Sequence, residues 1–154
     1  MIDKNGFRSN VGIILLNDKD QVFWAKRLHQ EAWQLPQGGV REKETLESAL
    51  YRELHEEVGL DPEDVRVLGK TKYWLKYRIP EQFVRQTKPV CVGQKQRWFL
   101  LRLCSSDKKI DLNKSGSPEF ETWEWVSYFY PMTKVIDFKK GVYRKALLEL
   151  NALR

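Results

Sequence analysis

The stretch Arg52-Glu53-Leu54-His55-Glu56-Glu57 carries the most informative pattern in the sequence, and it lies inside a longer motif that spans residues 38–60. Glu53, Glu56 and Glu57 stand at positions i, i+3 and i+4, so on a helix of about 100° per residue their side chains share one face. The stripe that these glutamates continue is apolar upstream, where it carries Leu46, Ala49 and Leu50. We therefore expect this face to turn inward, with the carboxylates in place of core residues.

A group of inward-facing carboxylates needs a partner. Two carboxylates about 5–6 Å apart repel each other by roughly 3 kcal/mol at an effective dielectric constant of about 20. Carboxylate oxygens that converge without histidine or thiolate ligands are the ligand set of a hard cation such as Mg²⁺ or Mn²⁺. A bare Glu-x-x-Glu-Glu also occurs at ordinary acidic helix ends, so the flanking residues have to decide between the two interpretations.

The flanking residues follow a fixed spacing: Gly38, five residues, Glu44, seven residues, Arg52-Glu53-Leu54, one residue, Glu56-Glu57, one residue, Gly59-Leu60. The chain thereby resembles the Nudix hydrolases, whose sequence box has every one of these positions. The resemblance implies a mixed α/β protein, an α/β/α sandwich with a mixed central sheet. It also implies a metal-dependent hydrolase of phosphoanhydride bonds.

The same residues are consistent with a loop-helix-loop structure. Gly38 and the glycine after it permit a close approach of backbone to ligand. Thr45 can cap a helix over about residues 45–58, and Gly59 can take the left-handed conformation that ends it. Arg52 stands four residues before Glu56 and can steer its carboxylate.

Length and composition indicate one domain over residues 1–154, because 42% of the residues are hydrophobic. No apolar run is long enough to span a membrane, and the first residues show no signal peptide. Cys91 and Cys104 lie in apolar, strand-like runs, which predicts buried free thiols in a reducing compartment. These features favour a cytoplasmic protein without a membrane partner, and we expect a monomer.

The net charge is +6 and the pI is about 9.3, although the proposed centre is acidic. The excess lysine and arginine must therefore lie elsewhere on the molecule. A basic surface around an acidic, metal-loaded centre suits a polyanionic substrate.

Hydrophobic periodicity predicts strands on both sides of the motif helix. A hairpin is expected from residues 11–16 and 21–27, and an extended segment from 33–37. A long or interrupted strand is expected over 65–79, and further strands over 90–103 and 122–126. From about residue 133 the period becomes helical. This order predicts a mixed sheet covered on two faces.

The resemblance extends beyond the box to one Nudix branch, the bacterial enzymes that trim the triphosphate at the 5′ end of RNA. The segments that carry it are Gly6-Phe7-Arg8, Asn10-Val11-Gly12, Trp33-Gln34-Leu35-Pro36-Gln37-Gly38-Gly39, Lys88-Pro89-Val90-Cys91, Gly93-Gln94-Lys95-Gln96, Pro118-Glu119-Phe120, Trp123-Glu124-Trp125-Val126 and Phe138-Lys139. It implies 5′-triphosphorylated RNA as the substrate.

Site residues follow partly from the residues themselves and partly from this resemblance. The helix glutamates are expected to hold the metal, and the resemblance adds the Gly38 carbonyl and the Glu119 carboxylate as ligands. The catalytic set is then Arg52, Glu53, Glu56, Glu57 and Glu119. The general base stays open among Glu53, Glu56 and Glu119. Glu119 is equally consistent with an exposed loop acid.

Candidates for phosphate and RNA contacts are the polar and cationic side chains of Arg8, Arg27, Gln94, Lys95 and Lys139. Tyr77 and Phe138 are candidates for stacking on bases. Plain packing in the last helix explains Phe138 equally well, and plain packing in a strand is slightly favoured for Tyr77.

Three other functions compete with RNA 5′-end hydrolysis. Hydrolysis of dinucleoside polyphosphates keeps the fold and changes the substrate. Housecleaning of free nucleotides is less favoured, because the basic excess suits a longer polyanion. A catalytically silent RNA-binding module is disfavoured by the complete set of box residues. The sequence specifies no activating protein.

Overall fold

A mixed eight-stranded sheet with helices on both faces forms the body of the protein. The structure, a computed structural model, describes residues 1–154. The strands are β1 (Phe7–Leu16), β2 (Val22–Arg27), β3 (Trp33–Gln34), β4 (Gln37–Gly39), β5 (Val65–Lys70), β6 (Leu75–Arg78), β7 (Gly93–Leu103) and β8 (Phe120–Val126). The α-helices are α1 (Leu46–Glu53), α2 (Tyr130–Lys134) and α3 (Lys140–Leu150). The predicted fold class is confirmed.

Strands β1 and β7 form the parallel centre of the sheet, in register from Phe7↔Gly93 to Leu16↔Arg102. On its other side β7 pairs antiparallel with β5 and then with β6. The long or interrupted strand expected over residues 65–79 is therefore two collinear edge strands. Thr71 fixes the interruption, because its hydroxyl accepts a hydrogen bond from the Trp98 amide at 3.1 Å.

The glycine segment is inserted between β1 and β2. These strands pair only at Leu16↔Val22, so the predicted hairpin opens immediately after its turn. β3 pairs with β2 and β4 pairs with β1. Between them, the Pro36 carbonyl accepts a hydrogen bond from the Ile13 amide at 2.9 Å. The non-local pairing brings Gly38 opposite Val11, near the middle of the sheet.

Alternation along the strands sends side chains to two separate cores, as expected for a sheet covered on both faces. Ile13 and Phe99 belong to the core under α1, whereas Ile14 and Trp98 belong to the core under α3. The α1 core includes Ala49, Leu50, Leu54 and Val58, and the α3 core includes Val142, Tyr143, Ala146, Leu147 and Leu150.

The motif helix begins and ends where the sequence predicts. The Thr45 hydroxyl accepts a hydrogen bond from the Ser48 amide at 3.1 Å, and Gly59 has a φ of 77°. The last turn, Leu54–Val58, widens from an α-helix into a π-helix. π-Helical turns are rare in proteins overall, and many of those that occur lie at functional sites.

The C-terminal region and the cysteines differ in detail from the expectations. The helical region beyond residue 130 is divided into α2, a 3-10 turn over Asp137–Lys139, and α3. Both cysteines are free thiols, but Cys104 is exposed and Cys91 half-buried, so the expectation of buried thiols is wrong. Cys104 lies just beyond the end of β7, outside the packed layers. None of the helices is long and apolar enough to cross a membrane.

Candidate active site

A cavity of about 560 Å³ lies where the glycine segment meets the motif helix, and no hydrophobic residue lines it. Its walls come from the end of β2, from β3 and β4, from α1 with its π-helical turn, from the loop before β8, and from the turn before α3. The lining residues are Arg27, Gln34, Gln37, Gly38, Gly39, Glu53, Glu56, Glu57, Ser115, Ser117, Glu119 and Lys139.

The glutamates of the motif enter this cavity, two of them from buried positions. Glu53 and Glu57 are only 7% and 5% exposed, whereas Glu56 is half-buried. Burial raises the pKa of Glu53, although the Arg52 guanidinium opposes the shift. Burial, together with the Glu53 and Glu119 carboxylates, holds the pKa of Glu57 well above its usual range. The structure thus places four carboxylates around one polar space.

Gly38 lies directly against the Glu53 carboxylate. A Cβ atom at residue 38 would lie 1.9 Å from the Glu53 carboxyl carbon, so no larger residue fits without moving that side chain. One residue earlier, the Gln37 amide donates a hydrogen bond to Glu57 Oε2 at 3.2 Å. The glycine segment therefore positions the backbone of β4 beside both buried carboxylates.

Arg52 braces the acidic side chains instead of lining the cavity. Its guanidinium donates to Glu44 Oε2 at 2.8 Å, to Glu53 Oε1 at 2.6 Å and to the Gly39 carbonyl at 2.7 Å. The contact with Glu56 that the sequence suggested is longer, at 3.4 Å. The hydrogen bond from Arg52 lowers the pKa of Glu44 to about 2, so the ion pair between Arg52 and Glu44 stays charged at neutral pH. Arg52 is thus a positioning residue.

The donor set fits a hard divalent cation. It consists of oxygen ligands that are buried, mutually repulsive and next to a backbone segment without side chains. As the side chains stand, no three of them surround one ion-sized position. Arg52 contacts an oxygen of Glu53 at 2.6 Å and one of Glu56 at 3.4 Å. A cation would compete with the guanidinium for those oxygens.

Cationic groups face the acids across the cavity. Lys139 is 8% exposed, and its burial, with the Arg27 guanidinium, lowers the pKa of its ammonium group to about 8. Its Nζ donates to Gln34 Oε1 at 3.3 Å and lies 5.8 Å from the centre of the Tyr77 ring. The Phe138 ring packs against Tyr77 at 5.7 Å between centroids. One wall therefore combines positive charge with an adjacent aromatic pair.

The remaining predicted contacts lie beside the cavity or away from it. Arg8, Gln94 and Tyr77 form one row across β1, β7 and β6. Tyr77 reaches the site through Gln37, whose side-chain Nε2 donates to the Tyr77 hydroxyl at 3.4 Å. Lys95 follows Gln94 in β7 and thus points to the opposite face of the sheet, where it pairs with an acid at 3.1 Å. The structure does not bring Lys95 to the cavity.

Five lining residues were not among the predicted site residues: Gln34, Gln37, Gly39, Ser115 and Ser117. Gln34 and Gln37 flank buried Leu35 in the extended segment, so their polarity beside a core residue was a usable signal. Ser115 and Ser117 come from a polar loop in which no spacing distinguishes them.

Comparisons with known proteins agree with this architecture. A family model described as NUDIX domain matches residues 6–140. An RNA pyrophosphohydrolase from Acinetobacter baylyi is 59% identical over 154 residues, which cover 99% of this chain and 93% of that protein. One from Shewanella piezotolerans is 59% identical over 150 residues, covering 97% and 87%.

Solved structures show the same fold at low identity. The E. coli dihydroneopterin triphosphate pyrophosphohydrolase superimposes with a TM-score of 0.72 at 18% identity, covering 93% of this chain and 98% of that one. A C. elegans Ap4A hydrolase gives a TM-score of 0.65 at 17% identity, with 93% and 98% covered. The family model matches most of this chain, and Glu53, Glu56 and Glu57 of the box line one cavity. The chain therefore belongs to the Nudix hydrolase family.

Proposed function

We propose that this protein is an RNA pyrophosphohydrolase. It converts the 5′-triphosphate end of RNA to a 5′-monophosphate, releasing pyrophosphate, or phosphate in steps, and so promotes RNA decay. The observation that carries the proposal is the cavity in which buried carboxylates face Arg27 and Lys139, with the Tyr77–Phe138 pair beside it. Relatives at 59% identity over nearly the whole chain bear the same activity in their names.

The metal is Mg²⁺ or Mn²⁺. Glu53, Glu56, Glu57, Glu119 and the carbonyl of Gly38 would hold it, because they are the oxygen donors at the acidic end of the cavity. When bound, such a cation neutralises phosphate charge and lowers the pKa of a bound water.

The chain's own residues then orient the substrate and handle the proton. Arg27 and Lys139 bind phosphate oxygens opposite the acids, since a guanidinium and an ammonium are the usual phosphate partners. One of the carboxylates Glu53, Glu56 or Glu119 accepts the proton of the attacking water. The cavity's polar walls suit a substrate that is charged throughout.

The nucleoside end of the substrate lies toward the aromatic pair. Phe138 is half-buried and offers a ring to a base, and Tyr77, only 7% exposed, packs against it from the core. Single-stranded bases stack readily on such aromatic rings. Arg8 and Gln94 lie in the same row as Tyr77, where they can contact the sugar-phosphate backbone. Oε1 of Gln94 is buried and has no hydrogen-bond partner, so an incoming donor would satisfy it.

We further propose that the protein acts as a monomer in the cytoplasm. Its two cysteines are unpaired, and free thiols are typical of reducing compartments.

The deciding experiment is incubation with 5′-triphosphorylated RNA and Mg²⁺, with both the RNA end and the released product identified. We expect 5′-monophosphate RNA and pyrophosphate or phosphate. The Glu57→Gln variant is the control and should be inactive. Diadenosine tetraphosphate, tested at the same metal concentration, measures the competing activity. A higher kcat/KM on the dinucleotide than on RNA would reverse the assignment.

A further inference from the structure

A second cationic surface lies on the face of the sheet that points away from Tyr77. Lys76 and Arg78 of β6 and Lys95 and Arg97 of β7 project from it, because they alternate with Tyr77, Gln94 and Gln96. We call these four side chains the β6–β7 basic face. Its only ion pair is between Lys95 Nζ and Asp3 Oδ2 at 3.1 Å. Glu47 of α1 also lies within electrostatic range of Arg97, so four positive charges meet two acids, only one of them in a direct ion pair.

Aromatic rings lie among these cations. Lys76 Nζ and the Arg78 guanidinium lie 5.1 Å and 5.3 Å from the centre of the Phe7 ring. Lys95 Nζ lies 5.2 Å from the centre of the Trp74 ring, and the Arg97 guanidinium 5.9 Å from it.

Two of the nearby rings are open to solvent. Trp74 is 36% exposed and its neighbour Tyr73 is 76% exposed. Both belong to the interruption between β5 and β6 that Thr71 anchors to β7. Large aromatic side chains are thus held at the rim of a basic surface, Tyr73 largely open to solvent and Trp74 partly covered by Lys95 and Arg97.

This face continues from the candidate active site around the sheet edge. Tyr77, beside the cavity, lies between Lys76 and Arg78 in the same strand. β6 pairs with β7 on one side, and its other side pairs with no strand. The open edge of β6 therefore lies between the Tyr77 side of the cavity and the β6–β7 basic face, one residue away along the strand.

Protection of the edge does not account for the whole arrangement. Charged residues on an edge strand prevent pairing with another sheet, and that explains cations on β6. It does not explain those on β7, which is an interior strand, or the exposed rings beside them. Backbone-tracking cations with interspersed aromatic rings are the features that bind single-stranded nucleic acid.

We propose that the β6–β7 basic face binds the body of the RNA substrate, downstream of the nucleotides held in the cavity. Phosphates contact the lysine and arginine side chains, and bases stack on Trp74 and Tyr73. The inference rests on the proposed function for its ligand. Lys95 lies away from the cavity, and the inference gives it a role in binding RNA outside the cavity.

The test compares long and short substrates in a charge-reduced variant. The Lys76→Gln/Arg78→Gln variant removes two exposed charges from the face. The control, Lys19→Gln/Lys108→Gln, removes two exposed charges near the opposite ends of β1 and β7. Substrates are a 20-nucleotide RNA and a trinucleotide, both 5′-triphosphorylated. Each is assayed from 50 to 200 mM salt.

We expect the face variant to lose about five- to tenfold in kcat/KM on the 20-nucleotide RNA and less than twofold on the trinucleotide. The salt dependence of log KM for the long RNA should become shallower by about 1.4, since each neutralised phosphate of a single strand contributes about 0.7. The control variant should match the wild type. Equal losses on both substrates, or a face variant that behaves as the control, would overturn the proposal.

Binding of a 5′-hydroxyl 20-nucleotide RNA separates this proposal from the proposed function. It is measured by fluorescence anisotropy and requires no turnover. If the wild type cleaves neither triphosphorylated RNA, the proposed function fails. The anisotropy data still test whether the β6–β7 basic face binds RNA. Weaker binding by the face variant than by the control supports it. Equal RNA binding by the two variants rejects the proposal. Equal binding is also the result expected if the face binds a protein partner instead of RNA.

Discussion

Replacing Gly38 by alanine tests the contact between the glycine segment and the motif helix. The new methyl group would lie 1.9 Å from the Glu53 carboxyl carbon, whereas ordinary van der Waals contact begins near 3.4 Å. The carboxylate must therefore retreat by about 1.5 Å, a distance set by the coordinates. Because this carboxylate ends a flexible side chain, it can turn away while the backbone stays in place.

The two consequences of that movement differ in size. A misplacement of about 1 Å in a catalytic constellation can cost on the order of 10²-fold in rate, or about 2.7 kcal/mol of transition-state stabilisation. We therefore expect Gly38→Ala to lower kcat/KM on triphosphorylated RNA by at least about 10²-fold. The free energy of unfolding should fall by no more than about 1–3 kcal/mol, which is typical of added methyl groups.

Gly39→Ala is the matched control. A Cβ atom at residue 39 meets only Arg8 Cδ at 3.7 Å and the Ser9 carbonyl at 3.9 Å, both ordinary contacts. Because these contacts add no strain, the activation free energy should change little, and this variant should keep kcat/KM within about threefold of the wild type. The assay is initial-rate kinetics at saturating Mg²⁺, with urea unfolding of the same preparations. Full activity in Gly38→Ala would refute the reasoning, as would equal losses in both variants.

Three further perturbations test the supporting structure. Tyr143→Phe removes the hydroxyl that accepts a hydrogen bond from the Leu35 amide at 2.9 Å, and the buried donor left behind should cost about 1–3 kcal/mol in urea unfolding; an unchanged midpoint would contradict this. Asp64 has its pKa lowered to about 2 by Lys109, so its contribution is present above its ordinary value near 3.8 and is lost as pH falls through about 2. Asp64→Asn should therefore be about 1–2 kcal/mol less stable than the wild type at pH 6, a value discounted for the exposed lysine, and the gap should narrow as pH falls from about 4 through about 2; a gap independent of pH would argue against the ion pair. Phe138→Ala should reduce turnover of RNA much more than that of diadenosine tetraphosphate, and equal losses would remove this ring from base recognition.

The spacing of the box was sufficient to predict the motif helix and its ends. Three glutamates at helical spacing on an apolar stripe predict a face that turns toward the interior, and the Thr45 cap and Gly59 turn are local properties of the chain. Glu119 is different, because the sequence alone did not decide whether it is a metal ligand or an exposed loop acid. Its presence in the cavity depends on the non-local pairing of β8 with β2.

Other features depend on contacts that no local pattern encodes. The predicted hairpin opened because residues 33–39 insert between its strands. Ser115 and Ser117 reach the cavity from a loop without periodicity. Lys95 is a case in which the sequence did carry the signal. Adjacent residues of a strand face opposite sides, so Gln94 and Lys95 could not both contact the same phosphates.

Direct metal binding tests whether the buried glutamates form a cation site. Titration of the protein with Mn²⁺, followed by electron paramagnetic resonance of the free ion, measures affinity without substrate. We predict saturable binding to the wild type and at least about tenfold weaker binding, or about 1.4 kcal/mol, for Glu57→Gln. Binding to Glu57→Gln that equals the wild type, or no binding to either protein, would contradict the account.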